Sequence, residues 1–316
     1  MTAPDSPAEP PASPRRRRRL WPLLLLAPPA ALAGASWWIT APLDDRTSPD
    51  LGGPSAPSAP SAPGRPPAAA IPPAPDWPEG RLEGEPAKAF LLASLERTAA
   101  RLDAIGAYTA TFRKRERVAG KLGPVQTMAM KVRHRPFAIY LKFLAPRAGK
   151  EVVYAEGHRD NKMVAHNGDW TRRLVPRIEV APDSALAMTD NRHPITEAGL
   201  AHLAGKLVAF RKLDLGDDHA VTILDRAVGP DGRPRLRSVH THTVPDDRRP
   251  FARVEVLYDP ETRFPVEIRS YDWPAPGQAV DAEPAEHYIY DDLKLDAPLT
   301  DADFDPANPD YAFHRY

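Results

Sequence analysis

The residues best placed to bind a metal are two of the ten histidines, His240 and His242, which a single residue separates. Side chains two apart on a β-strand point to the same face, so this pair would present two imidazoles to one ion. No third ligand follows at a diagnostic spacing, although Asp246 and Asp247 lie nearby. A solvated strand face explains the pair better, and the sequence predicts no metal and no other cofactor.

Catalytic motifs are weak throughout the chain. His158-Arg159-Asp160 copies the catalytic-loop tripeptide of protein kinases, but no glycine-rich loop and no Asp-Phe-Gly accompany it, so we attribute the match to chance. Asp291 and Asp292 are adjacent, and neighbours on a strand face opposite ways, which does not suit an acid–base pair. The sequence therefore predicts no catalytic residue and no enzyme. An uncharacterised hydrolase or metal-binding protein stays open as an alternative.

Composition narrows the function further. The 316 residues carry 42 basic and 42 acidic side chains, so no global field draws the protein to nucleic acid. The absence of cysteine excludes disulfides, thiolate metal sites, cysteine nucleophiles and a lipidated N-terminal cysteine.

The charges are nonetheless unevenly distributed along the chain. Acidic residues concentrate towards the C-terminus, between Asp281 and Asp305. Two solvated faces account for this pattern, and contact between the basic face and anionic lipid headgroups is the alternative. The basic residues of the early strands that would make such membrane-surface contact are Arg113, Arg115, Arg117, Lys131 and Arg133.

The N-terminal region has the pattern of an export signal. Residues 1–19 are a basic, cytoplasmic N-terminus, and residues 20–39 are an apolar run just long enough to cross a bilayer, which takes about 20 residues. A small-x-small sequence at residues 31–33 suits cleavage of a signal peptide, whereas Trp37 and Trp38 suit an uncleaved transmembrane anchor, which we favour. The remainder is expected in the cell envelope, anchored in the inner membrane and facing the periplasm, or free in the periplasm after cleavage.

A linker separates this segment from the folded part. Residues 40–82 are rich in proline, alanine and serine, with a Pro-Ser-Ala repeat at residues 54–63, and such sequence cannot bury a core. We therefore predict a disordered linker over residues 40–82 and one folded domain over residues 83–316.

The domain opens with a helix and a strand meander. Apolar residues at helical spacing predict a helix over residues 86–105. From Tyr108 to Phe143, apolar and polar residues alternate with period two, which is typical of antiparallel strands wetted on one face. Asn167-Gly168 predicts a two-residue hairpin, with a further strand over residues 170–175.

The second half repeats the order of helix and strands. A small-sided helix is predicted over residues 196–211, followed by strands over residues 220–224, 235–243, 251–258, 265–273 and 286–293. Many strands with only two main helices indicate an α+β fold. A sheet of this size is expected to curl strongly into a half-open barrel, and its apolar face needs a cover.

Several motifs together resemble a bacterial family known as domain of unknown function 1571. They are the segment from Tyr108 to Phe112, Lys131 to Phe137, Gly149 to Tyr154, Gly168-x-Trp170, Pro194 to Leu200, and Asp305 to Tyr311. The order of elements is also similar to the periplasmic lipoprotein carriers LolA and LolB, in which helices form a lid over the concave face of a half-barrel.

This resemblance implies a domain that binds a lipid or the acyl chains of a lipoprotein. A carrier of this kind is normally free in the periplasm, whereas this chain is expected to be a monomer tethered to the membrane by residues 20–39. The alternative is an envelope structural or sensing domain with a filled core and no small ligand. By analogy, the cavity would be lined by apolar residues from the sheet and from the lid helix: Phe112, Met128, Met130, Ile139, Leu141, Phe143, Tyr154, Leu200, Leu203 and Leu207.

Overall fold

The computed structural model describes residues 74–168 and 177–313. Within these ranges the chain is an α+β protein built on one antiparallel sheet, which confirms the predicted sheet type and the small number of helices. The strands are β1 (Leu82–Glu83), β2 (Ala107–Val118), β3 (Lys121–Leu122), β4 (Gln126–Arg133), β5 (Ala138–Ala145), β6 (Glu151–Ala155), β7 (Met163–His166), β8 (Ile178–Val180), β9 (Ala220–Val228), β10 (Pro234–His242), β11 (Phe251–Tyr258), β12 (Pro265–Asp272) and β13 (Glu286–Leu295).

The strand order joins the two meanders through one pairing, between β13 and β2. The path runs β1-β9-β10-β11-β12-β13-β2-β4-β5-β6-β7-β8, and β3 pairs with β2 beside it. Among the described residues, β1 and β8 each pair with one neighbour only, so the pairing does not close into a barrel. The strong curl of the sheet stays a prediction.

Two main helices accompany the sheet, as predicted. Helix α1 spans Gly84–Ala104, α2 is a short turn at Ala185–Met188, and α3 spans Leu200–Asp214. Helix α3 begins later than the sequence indicates, because Gly199 has a φ of 102° and breaks it from a preceding 3-10 turn. Across the described ranges, no helix has the length and apolarity needed to span a bilayer.

The inner face of the sheet holds the main core. Along β2, Tyr108, Ala110 and Phe112 point to this face, and they share one buried cluster with Leu102 of α1 and Leu200 of α3. Both helices therefore lie on the same side of the sheet. The period-two alternation that predicts this face is confirmed by burial along β4, where every second residue is buried.

The outer face over β5 to β7 is not wetted, contrary to the prediction. The C-terminal segment, residues 304–313, packs on it through Phe304, Tyr311 and Phe313. The rings of Tyr140 and Tyr311 stack with centroids 4.1 Å apart. Period alone shows two faces, and it does not show that a distant segment returns to cover the second one.

Two further expectations are wrong for local reasons. Met163 pairs with Val180 and Ala165 with Ile178, so β7 and β8 are not joined by a two-residue turn at Asn167-Gly168. Gly168 is instead required by a close approach, because a Cβ there would lie 2.1 Å from the Gly149 carbonyl carbon. Trp77, inside the predicted linker, is buried against Phe90 and Tyr258, so the folded part begins before residue 83.

The predicted strand over residues 170–175 and the apolar run over residues 20–39 lie outside the described residues.

Candidate functional site

The predicted cavity-lining residues of the sheet come together as one apolar floor. Phe112 on β2 pairs with Met128 on β4, which pairs with Phe143 on β5. In the next inward-facing row, Met130 pairs with Leu141. All seven predicted floor residues are at most 9% exposed and belong to one cluster: Phe112, Met128, Met130, Ile139, Leu141, Phe143 and Tyr154.

Helix α3 covers part of this floor, together with α1 and α2. Leu200 and Ala204 are buried within the same cluster, and Leu203 is half-buried against it. Leu207 is also buried but is not a member of this cluster, so the lid role of the three leucines stays a prediction. The floor and the lid touch each other directly, so the apolar surface is filled by the protein's own side chains in this structure.

Two tyrosines of the floor hold the beginning of α3. The Leu200 backbone N–H donates to the Tyr108 hydroxyl at 2.9 Å, and the backbone of Gly199 hydrogen-bonds the Tyr290 hydroxyl. A Cβ on residue 199 would lie 3.0 Å from the Tyr108 oxygen, so glycine is needed there for space as well as for φ. Burial raises the pKa of both phenols.

The rim of the cluster is only partly covered. Hydrophobic residues of β8, of the segment leading into α3 and of the first turn of α3 are half-buried against the floor. Phe137, which directly precedes β5, is half-buried in the same way. The members of this rim are Phe137, Ile178, Val180, Ile195, Ala198, Ala201 and Leu203. The apolar floor is thus continuous with a partly solvent-exposed apolar border next to α3.

A pair of buried carboxylates fastens the segment before α3. Glu116 and Glu286 lie directly opposite each other on β2 and β13. The Arg192 guanidinium lies 2.9 Å from Glu286, and His193 Nε2 lies 2.7 Å from the same carboxylate. The Arg192 backbone N–H donates to Glu116 at 3.1 Å. Like charges opposite each other repel, so these partners are what makes the pairing stable.

The ionised form of Glu116 is favoured despite its burial. Burial alone would raise the pKa of this carboxyl, but Lys114 at 2.9 Å, the Tyr288 hydroxyl and the Arg192 N–H outweigh it and lower the pKa. Glu116 is therefore ionised at neutral pH, and its carboxylate accepts the hydrogen bond from the Arg192 backbone N–H in that form.

The inner face becomes polar towards β9, β10 and β11. His240, Ser238 and Tyr258 are buried side by side, with His240 Nε2 3.0 Å from Ser238 Oγ and Ser238 Oγ 3.0 Å from the Tyr258 hydroxyl. The other ring nitrogen of His240 lies 3.1 Å from Thr222 Oγ1. Burial lowers the pKa of His240 far below its usual value and raises the pKa of Tyr258 to about 12.

The C-terminal end of α3 lies on this polar region. Asp214 is fully buried, 3.1 Å from His242 Nε2, 3.3 Å from Arg249 Nε and 3.0 Å from Arg211 Nε. Burial would raise the pKa of Asp214, but His242 and the two guanidinium groups lower it. His240 and His242 are thus buried members of a polar network, and the expectation of a solvated strand face is wrong.

Sequence reasoning missed Arg211 and Asp214 as buried groups. A usable signal was present, because both lie on the stripe of α3 defined by Leu200, Ala204 and Leu207.

Within residues 74–168 and 177–313, no three histidine or carboxylate side chains are grouped so as to hold a metal.

The five basic residues proposed for membrane contact are all paired inside the chain. Their partners are acidic residues of the C-terminal part, which contradicts the picture of two separate charged faces. The pairs are Arg113–Asp291 at 2.7 Å, Arg115–Glu283 at 2.9 Å, Arg117–Asp281 at 2.9 Å, Lys131–Asp303 at 2.7 Å and Arg133–Asp301. Membrane contact by these residues stays a prediction, and it would compete with these pairs.

A family model described as "Protein of unknown function (DUF1571)" matches residues 105–313. The chain belongs to this family. No curated protein matches it. The resemblance stated from the sequence motifs is therefore confirmed.

Solved structures similar to the DUF1571 chain include proteins of the lipoprotein-sorting type. A putative outer membrane lipoprotein-sorting protein domain from Vibrio parahaemolyticus is 12% identical, over 63% of this chain and 89% of that one, with a TM-score of 0.28. Lipoprotein LppX of Mycobacterium tuberculosis is 16% identical, over 69% and 99%, with a TM-score of 0.32. A LolA superfamily protein from Nitrosomonas europaea is 11% identical, over 67% and 96%, with a TM-score of 0.20. Similarity at this level identifies no ligand.

Proposed function

We propose that this domain binds a lipid, or the acyl chains of a lipoprotein, between the apolar floor and helix α3. Binding, rather than catalysis, is the function that the inner face supports best. The guest would replace α3 over part of the floor, and each buried methylene would contribute about 0.8 kcal/mol. The domain would act as a monomer in the cell envelope, tethered by residues 20–39.

The observation that carries this proposal is the mismatch in side-chain size between floor and lid. The floor presents large, adaptable side chains such as Phe112, Met128 and Met130, whereas the cover from α2 and α3 is supplied largely by Leu200 and by small residues such as Ala187 and Ala204. Methionine adapts to differently shaped partners because its unbranched side chain has several rotatable bonds. An acyl chain can therefore replace the small side chains without rebuilding the floor.

The attachments of α3 are of a kind that opens at modest cost. Its N-terminal end is held by hydrogen bonds from Leu200 and by the ionic contacts of Arg192 and His193, all of which water can replace. A typical hydrogen bond contributes a net value of only about 0.5–1.5 kcal/mol. Gly205 within the helix lowers its stability by up to about 1 kcal/mol relative to alanine.

A domain without a small ligand is the second candidate, favoured by the full burial of Met128, Met130 and Ile139 beneath the protein's own helix. In that case the floor would be an ordinary core and α3 would be permanent.

The test is binding of oleate to the purified, delipidated chain, measured by native mass spectrometry. Ala204→Trp places an indole between floor and lid, because Ala204 is fully buried, whereas Ala209→Trp adds the same group on an exposed position of α3. We expect Ala204→Trp to abolish binding and Ala209→Trp to preserve it.

The apolar run at residues 20–39 can hold oleate by itself, so only the binding that Ala204→Trp removes counts as binding to the inner face. Equal binding by the wild-type chain and both variants would refute the proposal and favour the domain without a ligand.

A further inference from the structure

The buried stripe of α3 changes character along its length. Leu200 and Ala204 pack in the apolar cluster of the floor, and the buried stripe continues through Leu207 to Arg211 and Asp214 at the polar end of the inner face. Eleven residues separate Leu200 from Arg211, which corresponds to roughly 16 Å of helix. A molecule lying under α3 would thus meet hydrocarbon along most of its length and a cation at one end.

The cation at that end has hydrogen-bonding capacity that the protein does not use. Arg211 is 3% exposed, and among the described residues neither its Nε nor its Nη1 has a hydrogen-bond acceptor. Its Nε lies 3.0 Å from Asp214 Oδ2, in an ion pair without hydrogen-bond geometry. Buried guanidinium groups ordinarily have acceptors for their N–H groups, because leaving them unmade is costly.

Arg211 shares its carboxylate partner with a second guanidinium group. Asp214 is shared between Arg211 and Arg249. Arg249 has other acceptors, since its Nη1 lies 2.6 Å from Asp217 and its Nη2 donates to the Leu213 carbonyl at 2.7 Å. Among the described residues, Arg211 forms an ion pair with no carboxylate other than Asp214. An anion beside Arg211 would supply the missing hydrogen-bond acceptors.

Neutral hydroxyl groups lie close to this cation. Ser238 and Tyr258 lie on the polar part of the inner face. Burial lowers the pKa of His240 and the charge of Arg211 lowers it further, whereas the same charge opposes the rise that burial causes in the pKa of Tyr258. Hydroxyl groups donate to carboxylate and phosphate oxygens as readily as they donate to each other. Beside Arg211, this part of the inner face thus offers hydroxyl donors in addition to the Asp214 carboxylate.

We infer that the guest of the inner face is an anionic amphiphile, whose carboxylate or phosphate pairs with the Arg211 guanidinium while its hydrocarbon chain lies on the apolar floor. This inference rests on the proposed function and names the class of its ligand. A buried ion pair is in itself weak evidence for stability, and apolar residues often replace one without loss. A cation placed at the end of an apolar floor is instead what recognition of a charged headgroup requires.

The experiment compares three probes on the full chain: oleate, lysophosphatidic acid with an oleoyl chain, and uncharged oleyl alcohol. Affinities are measured by competition against a fluorescent fatty alcohol. We expect at least one anionic probe to bind about tenfold to a hundredfold more tightly than oleyl alcohol, the usual effect of a charge-assisted pair. The preferred anion distinguishes a carboxylate from a phosphate headgroup.

Arg211→Met should remove this preference and leave the affinity for oleyl alcohol unchanged, whereas Lys212→Met is the matched control. Lys212 follows Arg211 on α3, but its side chain is 58% exposed, so its loss should preserve the preference. Arg211→Gln also removes the cation, and it serves as the second variant if the methionine variant does not fold.

The possible outcomes distinguish failure of the role assigned to Arg211 from failure of the proposed function. Equal affinity of the wild-type chain for all three probes overturns the role of Arg211 and retains apolar binding. A preference that survives in Arg211→Met or in Arg211→Gln overturns that role as well. Failure of all three probes to bind in a manner sensitive to Ala204→Trp overturns the proposed function, and this inference with it.

Discussion

The Tyr108 hydroxyl accepts the backbone N–H of Leu200 at 2.9 Å, so the floor of the sheet caps the helix that covers it. The first N–H groups of a helix have no partner within the helix, and a side chain at the N-cap usually supplies one. Gly199 occupies the N-cap of α3 and offers no side chain. Tyr108, fully buried in the middle of the floor, takes over that role and sets where the lid begins.

Removal of this acceptor should destabilise the domain. In Tyr108→Phe, the Leu200 N–H stays buried without its acceptor, so we expect the free energy of unfolding to fall by about 1–3 kcal/mol. Tyr271→Phe is the matched control, because Tyr271 is also buried but its hydroxyl makes no hydrogen bond to the part of the chain that the structure describes; its effect should stay within about 0.5 kcal/mol. Urea denaturation measures both values, and equal effects would contradict the capping role.

The sequence was most informative where burial is periodic. The strand over residues 251–258 matches β11 end to end, and alternation along β4 identifies Met128 and Met130 as inward-facing. Period reports which side chains share a face, because the two faces of a strand differ in polarity. It does not report what lies on that face.

The parts that sequence reasoning missed depend on contacts between distant segments. Phe313 packs on β5 to β7, more than a hundred residues earlier in the chain, and the acidic residues near it neutralise basic ones such as Lys131. His240 was predicted to lie on a solvated strand face and Arg211 was not singled out, whereas both side chains are buried. Polar residues are exposed as a rule, and the exceptions are decided by partners that no local pattern contains.

Movement of α3 can be followed with a single introduced thiol, because the chain has no cysteine. In Ala204→Cys the thiol is fully buried under the closed lid, whereas in Ala209→Cys it is exposed. If the lid opens for a guest, a maleimide should modify Cys at position 204 slowly without oleate and at a changed rate with it. The rate at position 209 should not respond. Modification of position 204 only upon global unfolding would contradict a mobile lid.

Gly205 offers a way to stiffen the same helix. A Cβ at this position would have no atom within 4 Å, and the residue lies inside α3, so Gly205→Ala should stabilise the domain by up to about 1 kcal/mol. The same change should slow labelling at position 204. Gly168→Ala is the opposite control, since its Cβ would meet the backbone at 2.1 Å, and it should destabilise the domain strongly. Thermal unfolding distinguishes the two directions.

The C-terminal segment should behave as part of the core rather than as a tail. Phe313 is fully buried against β7, where its ring meets His166 edge-on with centroids 4.9 Å apart. Phe313→Ala is expected to lower the free energy of unfolding by about 3–5 kcal/mol, as for other buried aromatic residues. Asp310→Ala alters an exposed residue of the same segment and should have little effect. A near-zero effect of Phe313→Ala in chemical denaturation would show that the segment is dispensable.

The stability of the domain should depend on pH through His240. Burial, followed by the nearby charges of Arg211 and His242, depresses the pKa of this imidazole well below 6.5. The folded state therefore keeps His240 neutral at pH values where the unfolded chain binds a proton. Its contribution is fully present above pH 6.5, and it is lost progressively as the pH falls from there towards the depressed folded-state pKa. The slope due to this one proton is at most about 1.4 kcal/mol per pH unit.

His240→Gln removes the titrating group and should flatten the stability profile between pH 7 and pH 5. His219→Gln removes an exposed histidine and should leave the slope of the wild-type chain intact. Glu116 and Asp214, whose pKa values are lowered, lose their contributions only at more acidic pH, below about 4.5 and 3.8 respectively. Urea-derived unfolding free energies at half-unit intervals separate these windows. An unchanged slope in His240→Gln would mean that His240 accepts a proton in the folded state, and that the polar end of the inner face is open to water.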